Sequence, residues 1–409
     1  MRLILKNLGL LSAVLIALTV GLASPSGAAT RFVDATTGSD ALNDCLSAAS
    51  PCKTITYALT QAAADDTIQI AAGTYDTALG ETFPLVIAVN LTLTGAGQGS
   101  CGSPGVTCID AVGTNRVITV NGGVTATISG VTVTGGSVSC TNSGGFSCVA
   151  QGGGLFNSGT LTLTNSTVSG NMVSCIQTGT NGACFAQGGG IFNSGTLTLT
   201  NSTVSGNTAS CTNSGGGSCF AQGGGLFDSL PGTLTLTNST VSGNTVSCSG
   251  SCTAAGSGLW SQGTATLTAT IIAKQLLGSD CFAFFFTSIT SNGFNLDSDN
   301  TCNLTGTGDQ PGVTNPLLGP LANNGGPTQT QALLTGSPAI DAVTSGCPPP
   351  ATDQRGVSRP QGPHCDIGAY ELVQTNAAIP TLSEWAQLAM LTLLFGGGLF
   401  ALRRRVHPA

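Results

Sequence analysis

Three stretches of the chain are close to copies of one another, and their spacing constrains the fold more than any other feature. Ala150–Cys175 reads AQGGGLFNSGTLTLTNSTVSGNMVSC, Ala186–Cys211 reads AQGGGIFNSGTLTLTNSTVSGNTASC, and Ala221–Cys248 reads AQGGGLFDSLPGTLTLTNSTVSGNTVSC. Their starts lie 36 and 35 residues apart, and weaker copies flank them at Val117–Cys140 and Gly258–Lys274. A period of this length means a solenoid or a propeller. Within one copy, Gly190–Asn193, Thr196–Thr200 and Ser202–Ser205 alternate apolar and polar residues between Asn-Ser-Gly, Asn-Ser and Gly-Asn turns. That alternation predicts three short strands per copy, and no part of the copy has helical periodicity. A propeller blade needs four antiparallel strands and hairpin turns, which the copies lack. The prediction is an all-β fold, a right-handed parallel β-helix from about Thr67 to about Lys274.

The composition agrees with stacked coils. Equivalent residues about 4.8 Å apart repel if they carry like charges, whereas Asn, Ser and Thr bond along the stack. Charged residues are only 7% of the 409, and from Val117 to Ala273 the sole charged side chain is Asp228. Asn165, Asn201 and Asn238 are expected to form one ladder, and Asn157, Asn193 and Asp228 another. Upstream, Lys53–Ala64 places Ile55, Ala58, Leu59 and Ala62 on one face at helical spacing, which predicts a helical cap over the open edge. Without the two ends, six basic residues face seventeen acidic ones. A phosphate backbone is repelled, so nucleic acid is excluded as a partner.

Both ends read as addresses. Residues 1–29 form a signal peptide: Arg2 and Lys6, an apolar run from Leu8 to Ala23, then small residues at Gly27-Ala28-Ala29. At the other end, Ile379, Pro380, Thr381 and Leu382 precede Ser383-Glu384-Trp385. Residues 385–402 are uncharged, and Arg403, Arg404 and Arg405 close the run. Eighteen helical residues reach about 27 Å, enough for a transmembrane helix whose Arg stop stays cytoplasmic. The expected organisation is 1–29 signal peptide, 30–116 cap and first coils, 117–275 repeats, 276–372 closing coils and cap, 373–378 linker, and 379–409 sorting signal.

Sixteen Cys beside two His argue for disulfides rather than zinc. The Cys fall into sequence-near couples: Cys45 with Cys52, Cys101 with Cys108, Cys140 with Cys148, Cys175 with Cys184, Cys211 with Cys219, Cys248 with Cys252, Cys281 with Cys302 and Cys347 with Cys365. Four couples flank Gly- and Ser-rich excursions that leave the coil at one point, and a local bridge would pin each excursion. Bridges between adjacent coils, Cys140 to Cys175 and Cys211 to Cys248, fit the coil spacing as well. Local pairing is preferred because short loops close first.

Catalysis finds little footing. Hydrolases of this architecture need clustered carboxylates, and lyases need a base. The best-formed coils offer Asp228 alone. Asp353, Arg355, Arg359, His364, Asp366 and Glu371 gather near the end, where ion pairs that tie down a loop are expected and no Ser or Cys nucleophile accompanies the His. Asp297-Ser298-Asp299-Asn300 lacks the Gly and distal Glu of a calcium loop. The GGG runs precede strands, so they are coil turns and not phosphate loops. No catalytic residue, metal ligand or cofactor is expected. An enzyme would require Asp65, Asp66, Asp76, Glu81 or Asp110 to converge with a basic residue in one groove.

The IPTL tail resembles the IPTL-CTERM sorting signals of Gram-negative bacteria, with Ala386 standing where that family usually has Gly. PCKTI at residues 51–55 with DDTIQIAAGTY at 65–75 resembles the amino-terminal region of exported pectin-lyase-like β-helix proteins. Ser291–Leu372 is similar to the closing region of bacterial "choice-of-anchor" surface proteins. The resemblance implies export across the inner membrane, processing by an exosortase-type enzyme, transient anchoring through the C-terminal helix, and a cell-surface location. Two functions fit: a non-catalytic structural or adhesive rod in contact with polysaccharide, cell-surface matrix or its own kind, and a glycan-active lyase or hydrolase.

Overall fold

The computed structural model describes residues 27–96, 101, 105–144, 146–284, 287–374 and 386–394. Thr-Leu-Thr-Leu-Thr and its variants alternate strictly, so each strand turns its Leu, Ile or Ala inward and its Thr outward. These strands stack into a nine-stranded sheet: Thr30–Val33, Asp66–Ile70, Leu91–Gly95, Thr125–Ser129, Thr160–Thr164, Thr196–Thr200, Thr233–Thr237, Thr264–Thr268 and Ile289–Ser291. An eight-stranded sheet contains Thr167–Ser169, Thr203–Ser205 and Thr240–Ser242, and a seven-stranded sheet contains Leu155–Asn157, Ile191–Asn193 and Leu226–Asp228. Neighbouring coils pair in parallel, copy on copy, so Leu161, Leu197 and Leu234 occupy one file. The chain is an all-β parallel solenoid of about seven turns.

One continuous core fills the space between the three sheets, with Leu163, Leu199, Leu236, Val168, Val204 and Val241 fully buried. Each such Leu contributes roughly 1.5–3 kcal/mol by leaving water. The coil corners are tight: a Cβ on Gly189 would sit 2.4 Å from the Gly224 carbonyl oxygen, which explains the GGG runs. Outside the core, Phe156, Phe192, Phe227, Trp260 and Phe282 stack face to face at centroid separations of 4.2–6.2 Å. Arg116 sits 4.7 Å above the Phe156 ring and closes that stack.

The three-strand reading of a coil is too small. In the central coils the excursions form two further strands: Met172–Gln177 with Ala183–Gln187, and Thr208–Asn213 with Ser218–Gln222. They stack into two four-stranded parallel sheets. Between these sheets lies a separate core of Ala150, Val173, Cys175, Cys184, Ala186, Ala209, Cys211, Cys219, Ala221 and Val246. The excursion is therefore a second lobe with its own interior. Its inward residues are Ala, Cys and Val, whose small size hides the alternation.

Seven of the eight expected Cys couples are disulfides. Cys45 is bonded to Cys52, Cys101 to Cys108, Cys140 to Cys148, and Cys211 to Cys219. Cys248 is bonded to Cys252, Cys281 to Cys302, and Cys347 to Cys365. None of these bridges joins one repeat copy to the next, so the inter-coil pairs Cys140 to Cys175 and Cys211 to Cys248 do not form. The expected couple of Cys175 with Cys184 is corrected: both are buried free thiols. Their sulfurs face along the stack rather than across the lobe. Cys175 Sγ lies 2.8 Å from Cys140 Sγ and donates to the Phe185 carbonyl at 3.0 Å. Cys184 Sγ lies 2.9 Å from Cys148 Sγ and donates to Gln177 Oε1 at 3.0 Å.

Near the start, Ile55–Gln61 is a helix that buries Ile55 and Ala58, shorter than the stretch expected from Lys53–Ala64. Near the end, Leu318–Ala322 pairs antiparallel with Thr330–Leu333. The chain then runs back along the eight-stranded sheet. Gln354 Oε1 accepts from Thr203 Oγ1 at 2.6 Å, and Ala369 N donates to Thr240 Oγ1 at 3.1 Å. The closing segment thus covers a flank as well as following the last coil. The expected span at 385–402 is not shown. Among the described residues, 386–394 are helical and no helix is long and apolar enough to cross a membrane. Nine helical residues reach about 14 Å, half of a hydrocarbon core.

Candidate functional site

Four amino-terminal carboxylates, Asp66, Glu81, Asp76 and Asp110, accept hydrogen bonds from the backbone. Asp66 accepts from Ala29 N at 2.8 Å and Ala63 N at 2.9 Å, and pairs with Arg31 Nε at 2.7 Å. Burial alone would raise its pKa, but these donors hold it below the ordinary carboxylate range. Glu81 accepts from Ile55 N, Thr56 N and Thr56 Oγ1, which caps the helix Ile55–Gln61, and burial pushes its pKa up. Asp76 accepts from Leu79 N at 2.9 Å and Asp110 from Val112 N at 2.8 Å. Asp65 occupies a left-handed turn with φ 69°. A groove lined by Phe32, Asp34, Gln69, Ile70 and Thr94 contains Asp34 as its one carboxylate. Hydrogen bonds from the Thr36 side chain and from the Thr36 and Thr37 backbone hold Asp34 at about 2. A group so acidic is a poor proton donor near neutral pH.

Asp228 is the middle of a polar ladder. Asn157 Nδ2 donates to Asn193 Oδ1 at 2.8 Å, and Asn193 Nδ2 donates to Asp228 Oδ1 at 2.7 Å. Ser261 Oγ reaches Asp228 Oδ2 at 3.3 Å. Burial pushes Asp228 up to about 6. The carboxylate has no exposed surface and no basic neighbour among these contacts.

The expected Asn165–Asn201–Asn238 ladder does not form. These residues sit at coil corners with φ of 49°, 47° and 45°, and Asn201 Nδ2 donates instead to the Thr352 carbonyl at 2.8 Å. The missed ladder is Asn171–Asn207–Asn244, linked Nδ2 to Oδ1 at 3.0 Å in both steps. Gln151, Gln187 and Gln222 form another at 2.9 Å per step. The recurring Ser-Gly-Asn turn was the available signal for the first of these.

The charged group near the end is a buried tie. Arg359 Nη1 meets Glu371 Oε2 at 2.7 Å with both side chains fully buried, and Arg355 meets Asp353 at 2.7 Å while lying 3.5 Å from the Tyr370 ring. Asp366 accepts from Asp341 N and Leu372 N, and burial pushes it up to about 7. Its neighbour Cys365 is bonded to Cys347, which fixes the same closing loop covalently. His364 is exposed, and its backbone N–H, not its ring, reaches Asp341. Asp297 accepts from the backbone N–H of Asn300, Cys302 and Gly312, which occupies the oxygens that a calcium ion would need. Among the described residues, the one group of three metal-type ligand atoms within 4.8 Å is Cys140, Cys148 and Cys175, and two of these share a disulfide.

The signal peptide apart from residues 27–29, and the sorting residues Ile379, Pro380, Thr381, Leu382, Trp385, Arg403, Arg404 and Arg405, lie outside the described residues. Residues 377–405 match the IPTL-CTERM motif. Among solved structures, pectate lyase Pel9A is similar at 15% identity and a TM-score of 0.35, covering 84% of this chain and 97% of that one. A pectin methylesterase from Aspergillus niger is similar at 13% identity and a TM-score of 0.33, covering 68% of this chain and 88% of that one. No curated protein matches. Residues 36–267, more than half of the chain, match the family described as "Protein of unknown function (DUF1565)". The chain belongs to the DUF1565 family, and it is a β-helix protein that ends in an IPTL-CTERM sorting signal.

Proposed function

We propose that this is an exported, non-catalytic rod, displayed at the surface of a Gram-negative cell in contact with matrix polysaccharide. In this reading the solenoid is right-handed, and the helix Ile55–Gln61 caps its open edge. Residues 1–29 are removed on export, and an exosortase-type enzyme processes the tail after the span at 385–402 has anchored it briefly. The observation that carries the non-catalytic part is the engagement of the carboxylates. Asp66, Asp76, Glu81 and Asp110 each accept from backbone N–H groups, and among the described residues none of the four lines the groove around Asp34. Disulfides and the IPTL motif support an oxidising, surface location.

The test is a panel of neutral and acidic polysaccharides incubated with the purified exported chain. Reducing ends and unsaturated uronide absorbance are followed at several pH values. Neither should rise above buffer. Product formation that disappears in Glu81→Gln or Asp76→Asn would assign a glycan-active enzyme instead.

A further inference from the structure

The nine-stranded sheet carries an unbroken file of threonines. Thr30, Thr67, Thr92, Thr127, Thr162, Thr198, Thr235, Thr266 and Thr290 are register partners from the first strand to the last. Over the five central strands the file is flanked on both sides. Thr125, Thr160, Thr196, Thr233 and Thr264 lie to one side, and Ser129, Thr164, Thr200, Thr237 and Thr268 to the other. Strands about 4.8 Å apart with same-face residues about 6.7 Å apart make the central file and the Thr125–Thr264 file a rectangular lattice of about 7 by 19 Å, while Thr237 and Thr268 of the third file lie against Val343–Pro349 of the closing segment. The pairing shows no register shift across it.

Hydroxyls at the adjoining turns are used internally. Ser166, Ser202, Ser239 and Thr270 donate to the carbonyls of Thr164, Thr200, Thr237 and Thr268 at 2.8–2.9 Å. The lattice hydroxyls have no partner among the described residues, and they are exposed or half-exposed. The closing segment covers the neighbouring eight-stranded sheet through Gln354 and Ala369, and leaves the first two files of this one open. The five central strands carry no charged and no aromatic side chain.

We propose that the threonine lattice binds ice. Three properties of the surface select that partner. It is free of charge, which complements a neutral surface and disfavours ionic ones. It lacks the rings on which a sugar stacks, so a glycan chain has no platform there. Its hydroxyls and methyls repeat at spacings close to the oxygen rows on a prism face of ice. Waters bridging adjacent hydroxyls therefore adopt positions that a crystal plane continues, and ordering them costs little entropy where they are already held in place. Many equivalent contacts engage together because the sheet fixes their spacing in advance.

The test uses the exported chain purified with its disulfides intact. Ice is grown slowly from a dilute solution on a cold surface, and the protein fraction in the solid is compared with that of a non-binding control. Thermal hysteresis is measured in parallel. The wild type should enrich in ice and shape its crystals, and Thr198→Lys, at the centre of the lattice, should lose both effects with an unchanged circular dichroism spectrum. If Thr198→Lys does not fold, Thr162→Tyr serves the same purpose. Exclusion of the folded wild type from ice overturns the proposal. So does retention on insoluble cellulose or chitin without ice affinity, which would assign a glycan surface. So does a concentration-dependent dimer that Thr198→Lys dissociates without any ice affinity in the wild type, which would assign the face to a second copy.

Discussion

Replacing Asp228 with Asn should stabilise the fold at neutral pH and do nearly nothing in acid. The carboxylate is completely buried between the amide of Asn193 and the hydroxyl of Ser261, and burial pushes it from 3.8 up to about 6. The folded state therefore holds its proton more tightly than the unfolded chain. The protonated group is tolerated below about pH 4, stability falls as pH rises from there through about 6, and the full penalty persists above. Two pKa units correspond to about 3 kcal/mol. The amide retains the acceptor for Asn193 Nδ2 and gives up the long bond from Ser261, a loss of about 1 kcal/mol or less. The expected net gain is about 2 kcal/mol at pH 8 and about zero at pH 4. Equilibrium denaturation of wild type and variant across this range reads the difference directly, and cancels the parallel slopes from Asp280 and Asp366, which burial raises likewise. A difference between the two proteins that does not change with pH would refute the reasoning.

Three further outcomes are expected. Arg359→Ala leaves Glu371 charged and buried without its partner, which should cost about 3–5 kcal/mol. Limited proteolysis should then cut within 323–372 while the far-ultraviolet spectrum of the coils persists. Burial pushes the Cys175 thiol up to about 12, so native alkylation should be negligible. Alkylation in guanidinium without reductant should label Cys175 and Cys184 alone, whereas a linked peptide joining Cys140 to Cys175 would mean pairing between coils. Joint replacement of Pro380 and Trp385 by Ala should trap a longer, membrane-held species on immunoblots of fractionated cells. Identical mass and distribution for wild type and variant would make the tail a plain anchor.

The solenoid was legible because Leu161 and Leu163, with their copies, alternate with Thr at a period that only strands share. The ladder through Asn157 and Asn193 was legible for the same reason, since both residues end an alternating run. At turns the alternation breaks. Asn171 faces inward while Asn165 takes a positive φ, and the recurring Ser-Gly-Asn turn was the one sequence signal that marked Asn171. The second lobe stayed hidden because Cys, Ala and Val give weak contrast against Ser and Thr. Local closure predicted the bridges from Cys45 to Cys52, Cys101 to Cys108 and Cys248 to Cys252, each within eight residues. It failed at Cys175 and Cys184, where each sulfur turns towards the bridge of the preceding coil. The docking of Gln354 on Thr203 joins residues 151 apart and follows no period. Of the functional residues, the IPTL tail was readable as a motif in its own right. The engagement of Asp66 and Glu81 by backbone donors depends on chain crossings that no local pattern encodes.

The central claim is an exported solenoid released from a processed tail, and the mature carboxy terminus tests it most directly. Cell-surface material is isolated, the chain is digested, and its terminal peptide is sequenced by mass spectrometry. The account expects a chain that ends before Ile379 or within Ile379–Leu382, with no peptide from residues 386–409 in the surface fraction. A surface chain that still ends at Ala409 would contradict it.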